Sequence, residues 1–252
     1  MGTMTMARRA AAMLALAGGL AACSGGGGDV PLAGAIAAQD AICRPELTVD
    51  GKTYEAGTAF VVDGARPLLV TAHHLFGEMG GLPEEVRWRD MPRRATSARC
   101  RQVKGGARLT TGAALAIDGA HSLSPTSTVE YRDIAAFPLA GGGAGVPRLT
   151  LAEREPATGS RVWLVAQVRG GDPATLLHRA TVVGHEQGAM VYAFDDTRIE
   201  LQATSGAPIV DAEGKLVGIN LGGTTAEGSD DVQGVGDSLE VVRKALTAVQ
   251  GD

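Results

Sequence analysis

Aromatic side chains are scarce: only 4% of the 252 residues are Phe, Trp or Tyr. Any core must therefore rest on Val, Leu, Ile and Ala, which gain burial energy in small increments. Cysteine is rarer still, with 3 residues in the whole chain, so a small disulfide-dense scaffold is excluded. No basic block appears after the first few residues, and the formal net charge is −5. That balance argues against a nucleic-acid partner, because phosphate binding needs clustered Lys and Arg. What the chain has in quantity is glycine, 36 residues, which suits short strands and tight turns better than long helices. With 44% hydrophobic and 20% charged residues, it can bury a substantial core as one domain or two packed halves.

The N-terminus reads as an address. Arg8 and Arg9 precede an apolar run, residues 10–20, that is too short to span a bilayer. The run ends in Leu20-Ala21-Ala22-Cys23, followed by Ser24 and four glycines. This resembles the bacterial lipoprotein signal, which implies removal of residues 1–22 and lipidation of Cys23 as the first mature residue. Residues 23–35 then form a Gly-rich tether. The resemblance implies anchorage to a membrane of the bacterial cell envelope, and Ser24 after the Cys implies the outer membrane, facing the periplasm, in a Gram-negative host. Cys43 and Cys100 remain; in an oxidising compartment they either pair or stand unpaired and buried.

Beyond the tether, short apolar runs alternate with Gly, Pro and Asp. Residues 57–63 and 68–71 flank the turn Gly64-Ala65-Arg66-Pro67, a β-hairpin signature. Further strands are expected at 134–139, 148–151, 161–168, 180–183 and 189–194. Residues 208–210 and 216–220 flank a second turn, Asp211-Ala212-Glu213-Gly214. Leu239, Val242, Leu246 and Val249 recur at helical spacing over residues 238–249, behind Asp237 or Ser238 as N-cap. Many strands and one terminal helix predict an all-β barrel or sandwich. Gly141-Gly142-Gly143-Ala144-Gly145 reads as a link between halves, and polar residues 76–96 as a long surface loop.

Three local patterns carry chemistry. The first is Leu69-Val70-Thr71-Ala72-His73-His74, the second Arg132-Asp133-Ile134-Ala135-Ala136, and the third Ala203-Thr204-Ser205-Gly206-Ala207-Pro208. A Ser hydroxyl becomes a nucleophile only when a neighbouring base takes its proton. Imidazole serves because it titrates near neutral pH, and a carboxylate behind it fixes its tautomer. Small residues beside the Ser allow the tight turn that aims main-chain N–H groups at an oxyanion. Each pattern alone is commonplace; the order His, Asp, Ser on a strand-rich background is not. A metal reading of His73 and His74 is poor, since adjacent side chains diverge. Asp118 and His121 form a rival pair but lack strand context.

With Leu216-Val217-Gly218-Ile219-Asn220 and the terminal helix, these motifs resemble the trypsin-like serine peptidases, especially the bacterial branch related to HtrA-type proteases. The resemblance runs from about Tyr54 to Leu246. It implies two six-stranded antiparallel β-barrels of the chymotrypsin-like kind with a C-terminal helix, at about 48–140, 146–236 and 238–249 within a peptidase domain of residues 36–252. It implies an endopeptidase with His74, Asp133 and Ser205 as triad, the N–H groups of Ala203 and Ser205 as oxyanion hole, a polypeptide substrate and no cofactor or metal. His73 stands where the family has a second Ala, so His74 aligns as the base. Ile199 matches the floor of the primary specificity pocket, an apolar floor that disfavours cleavage after Arg or Lys. Leu221, Gly222 and Gly223 match the strand that pairs with substrate. Two departures bear on activity. Ala203 replaces the glycine that donates to the oxyanion, and Thr204 replaces the Asp that captures a freed N-terminus in zymogen-type members. The alternatives are a weakly active or inactive lipoprotein of this fold that grips extended segments by strand addition, and an esterase using the same triad.

Overall fold

A computed structural model describes residues 33–122, 130, 132–225, 228 and 231–251. The signal segment, Cys23 and the tether up to residue 32 lie outside the described residues. From Ala33 the chain is already structured. The helix α1, Ala33–Ala38, buries Ala35 and Ala38, so order begins inside the stretch read as tether.

Two sheets follow in chain order. The first takes β1 (Ile42–Val49), β2 (Lys52–Glu55), β3 (Ala59–Val62) and β4 (Leu68–Thr71). After a short helix α2, Met91–Arg94, it adds β5 (Ala95–Gln102), β6 (Arg108–Thr110) and β7 (Ala135–Pro138). The strand order is β6-β5-β1-β3-β4-β7, with β2 added on β1, and every pairing is antiparallel. This sheet is a half-barrel rather than a continuous closed ladder. Between its ends runs one isolated bridge, Thr111 to Leu139. Beside it, Gly112 N–H donates to the Pro138 carbonyl at 2.9 Å and Leu115 N–H to the Ala136 carbonyl at 2.8 Å.

The second sheet is a closed six-strand barrel. It is built from β8 (Arg161–Val165), β9 (Leu177–Glu186), β10 (Ala189–Phe194), β11 (Pro208–Val210), β12 (Leu216–Thr225) and β13 (Val232–Ser238). Its order is β10-β13-β12-β11-β8-β9, closed by β9 on β10. The fold is thus chymotrypsin-like and mostly β, ending in helix α3, Leu239–Gln250.

Three apolar clusters hold it together. Phe76, Phe137, Leu47 and Val61 fill the first sheet, and Tyr192, Phe194, Leu164 and Ile209 the second. A third cluster joins Phe60, Val70 and Trp163 to Val242 and Leu246 of α3. Each fully buried aliphatic side chain contributes about 1.5–3 kcal/mol relative to exposure. Cys43 of β1 and Cys100 of β5 form a buried disulfide with Cα atoms 5.6 Å apart.

Three local expectations change. Residues 76–96 are not a surface loop throughout, because Phe76, Val86, Met91 and Ala95 are fully or almost fully buried. Residues 148–151 make only isolated bridges, at Leu149 and Leu151. Ser238 occupies the N-cap of α3 but makes no side-chain cap. Instead the Glu155 carboxylate accepts from Leu239 N–H at 3.2 Å and Glu240 N–H at 2.9 Å, placing an anion on the positive end of the helix.

Candidate active site

The strand β4 ends at Thr71 and delivers His73 and His74 into a short 3-10 turn with both rings buried. Asp133, two residues before β7, is fully buried beside them. Its carboxylate holds His74 twice. Oδ1 accepts from His74 N–H at 2.7 Å, and Oδ2 lies 2.9 Å from Nδ1. With Nδ1–H facing the carboxylate, Nε2 carries the basic lone pair. That nitrogen is buried and makes no hydrogen bond. His73 points away, its Nε2 at 2.9 Å from the Val86 carbonyl and 3.3 Å from Glu85 Oε1. The His73 contact and the Ser122 N–H hold Glu85 down at about 2. Asp118 and His121 do not pair; His121 Nδ1 faces the Gly119 carbonyl at 2.8 Å.

Ser205 sits on the turn between Leu201 and β11. Thr58 N–H donates to the Ser205 carbonyl at 2.8 Å, and Gly206 N–H to the Asn220 carbonyl at 2.7 Å. Gly206 has φ +81, and a Cβ there would lie 2.3 Å from Thr71 Oγ1 and 2.4 Å from the Thr58 carbonyl. No other residue fits after Ser205. Asn220 braces the turn from β12, its Nδ2 donating to the Thr204 carbonyl and Oγ1 at 3.0 and 2.9 Å, while Tyr192 OH donates to its Oδ1 at 2.6 Å. Thr204, which offers no carboxylate, is thus held by a buried amide.

Ala203 adopts φ +66, a left-handed conformation that a non-glycine residue occupies at a cost of about 1–2 kcal/mol. Among the described residues the main-chain N–H groups of Ala203 and Ser205 donate to no protein acceptor. Ser205 Oγ donates to the Leu221 carbonyl at 3.3 Å. His74, Ser205 and Ala203 line one cleft of about 880 Å³, together with Ile199, Leu221, Gly222 and Gly223. Ile199 is 5% exposed and gives the cleft wall an apolar side chain. The absence of a side chain at Gly223 lets Leu201 pack against that strand, for a Cβ there would meet Leu201 Cδ1 at 2.7 Å.

Two residues at the site escaped sequence reasoning. Asp237 is fully buried on β13, and its Oδ2 accepts the Asp133 N–H at 2.9 Å. Its Oδ1 is buried without a hydrogen bond. Burial first, and then the charge of Asp133, raise its carboxyl well above the usual range. The signal was an acid between Gly236 and the apolar helix, read as a cap. The other is Arg44 on β1, whose guanidinium reaches the Ala203 carbonyl. Among the described residues no cluster of His, Cys, Asp and Glu is arranged to hold a metal ion, and no helix is long and apolar enough to cross a membrane.

A barrel and a half-barrel, with a histidine–carboxylate pair on one and a serine turn on the other, define the architecture of the trypsin-like hydrolases. The sequence matches the trypsin-like peptidase domain over residues 57–219, and the chain belongs to that family. It matches no curated protein by sequence. In fold it is similar to the active form of the Rv3671c protease from M. tuberculosis, at 16% identity, TM-score 0.53, covering 84% of this chain and 82% of that one. It is also similar to the serine endoprotease from Yersinia pestis, at 14% identity, TM-score 0.57 and coverage of 89% and 69%. The HtrA-type protease AlgW, solved with a decapeptide, aligns at 14% identity and TM-score 0.53 over 86% and 67%.

Proposed function

We propose that the chain is a serine endopeptidase of the bacterial cell envelope, held to its membrane by lipid on Cys23. The observation that carries the catalytic part is the double grip of Asp133 on His74, which leaves Nε2 unpartnered in the cleft that Ser205 lines. In the working cycle Ser205 Oγ leaves the Leu221 carbonyl and turns to His74 Nε2. Nε2 takes the hydroxyl proton as Oγ attacks the scissile carbonyl, and Asp133 stabilises the imidazolium. The N–H groups of Ala203 and Ser205 meet the oxyanion, and His74 returns the proton to the leaving amine, giving an acyl-enzyme that water hydrolyses. A peptide laid along the free edge of β12 at Leu221, Gly222 and Gly223 would place an apolar side chain over Ile199. The polypeptide class is supported by family membership and by the peptide-bound HtrA-type relative.

A second reading, a lipoprotein of this fold that binds extended segments without cleaving them, draws on the Ser205 contact with Leu221 and on the strained Ala203. A fluorophosphonate probe separates the two. We expect wild type to be labelled at Ser205, and Ser205→Ala and His74→Ala each to lower peptide turnover by about 1000-fold or more. His73→Ala should retain most activity. A wild type that binds extended peptides yet resists the probe would establish the second reading.

The anchor rests on Leu20-Ala21-Ala22-Cys23 and the glycines behind it. Cys23→Ser is expected to move the protein from the membrane fraction to the soluble one. Wild type without acyl mass on its N-terminal residue would overturn the anchorage.

A further inference from the structure

A row of arginines crosses the outer face of the first sheet. Arg44 of β1 stands opposite Arg101 of β5, and Arg101 stands opposite Arg108 of β6. Directly opposed residues share one face of a sheet, and like charges so placed repel. Two residues along, charges are matched instead, for Arg99 lies opposite Glu46 and pairs with it at 3.3 Å. The repulsive row ends at the serine turn, where Arg44 Nη1 donates to the Ala203 carbonyl at 2.8 Å and Nη2 to the Gln167 carbonyl at 3.0 Å. Burial depresses the Arg44 guanidinium below the usual arginine range; Glu55 opposes that and the Arg101 charge adds to it.

Past Ala203 the row is continued by Arg169. A cavity of about 460 Å³ opens there, with Arg44, Arg169, Gln202 and Ala203 in its lining and no carboxylate. Arg169 donates to Gln202 Oε1, a neutral partner. The nearby Asp172 is turned to its own loop, accepting the Ala174 N–H at 2.9 Å. Among the described residues none of Arg44, Arg101, Arg108 and Arg169 makes an ion pair. A chain of net charge −5 thus gathers four arginines without a carboxylate partner on one strip. Gln202 and Ala203 line both this cavity and the catalytic cleft, so the two adjoin.

We propose that the strip is an exosite for an acidic stretch of the substrate, on the side of the scissile bond away from β12. The inference rests on the reading of Ser205 as nucleophile. With the residues before the bond laid along Leu221, Gly222 and Gly223, those after it leave past Ala203 toward Arg44 and Arg169. Glu55 and Glu78 line the cleft itself, which sets the acidic residues beyond the first position after the bond. From β1 to β6 is two strand spacings, about 10 Å, or roughly three residues of extended chain. Asp or Glu there relieves the repulsion within the row, and the field of the strip draws such a chain in from solution.

Two quenched fluorescent peptides test this, alike up to the scissile bond and carrying either Glu or Gln at several positions beyond the first residue after it. At low salt we expect kcat/KM to be about tenfold higher for the Glu peptide, mainly through KM, because the strip grips substrate and transition state alike. In about 0.5 M salt the preference should shrink to about twofold, since Arg101 and Arg108 are exposed and screened. Arg101→Gln with Arg108→Gln should cut the low-salt preference to about threefold and leave turnover of the Gln peptide unchanged. Adding Arg169→Gln should abolish the preference. Equal rates for the two peptides in wild type, or a preference that outlives all three substitutions, would overturn the proposal. If the rates are equal but Cys23→Ser protein binds phosphatidylglycerol vesicles through Arg101 and Arg108, the strip faces lipid and the proposal fails. Fluorescence anisotropy of the Glu peptide on Ser205→Ala protein reads the strip without turnover. Salt-sensitive binding there, lost in the arginine variants while wild type cleaves nothing, would refute the peptidase reading and leave the acidic exosite standing.

Discussion

Asp237 is buried beside Asp133, and each of the two carboxyls accepts a main-chain N–H, Asp237 from Asp133 and Asp133 from His74. Asp133 serves His74, and Asp237 serves Asp133. A second buried anion so close to the first would be costly, and burial, then the Asp133 charge, push the Asp237 carboxyl well above the usual range; the Asp133 N–H and Arg132 favour ionisation and Glu130 opposes it. The consequence for stability has a definite sign. In the unfolded chain Asp loses its proton near pH 4, whereas folded Asp237 keeps it to much higher pH. Above pH 4 the folded state thus binds one more proton than the unfolded, and stability falls as pH rises, by up to about 1.4 kcal/mol per pH unit. The favourable contribution is complete below pH 4 and is lost as pH climbs through the folded value. Asp237→Asn keeps an oxygen acceptor for the Asp133 N–H and cannot ionise. Its denaturant midpoint, followed from pH 4 upward, should decline less steeply than that of wild type. Parallel declines would mean that Asp237 titrates normally.

At the scale of single elements, what could be read from the chain depended on how each strand is buried. β3, β4, β10 and β11 are short apolar runs, buried almost throughout, and their residues announce them. β1 and β5 alternate buried with less buried residues over much of their length, and the outward positions of β5 include Thr96, Arg99 and Arg101. Small inward residues such as Ala95 and Ala98 make that alternation faint, so both strands went unrecognised, and with β1 went Arg44. The serine turn and the His74 segment stood out because the proposed chemistry demands each type of residue. Asp237 and Arg44 did not, because their roles come from contacts made 104 and 159 positions away along the chain. Helix α3 shows the same division. Its apolar spacing marks the buried face, while Glu155, which caps it, is 84 positions away from Leu239.

Over the whole molecule the two sheets are secured unequally. The second is a closed circle of ladders, whereas the ends of the first meet through one bridge and the amides of Gly112 and Leu115. Such a seam is a place where a native protein opens locally without unfolding. Amide hydrogen exchange should register it as two tiers of protection. Gly112 and Leu115 should exchange through a small opening that denaturant barely accelerates, while Asn220, bonded to the Ala207 carbonyl on the closed barrel, should wait for far more extensive unfolding. Equal protection at the three amides would mean that the half-barrel is as rigid as its closed neighbour. With two tiers, the half that carries His74 and Asp133 has a slack rim, and it can adjust to an incoming chain while the barrel holding Ser205 stays firm.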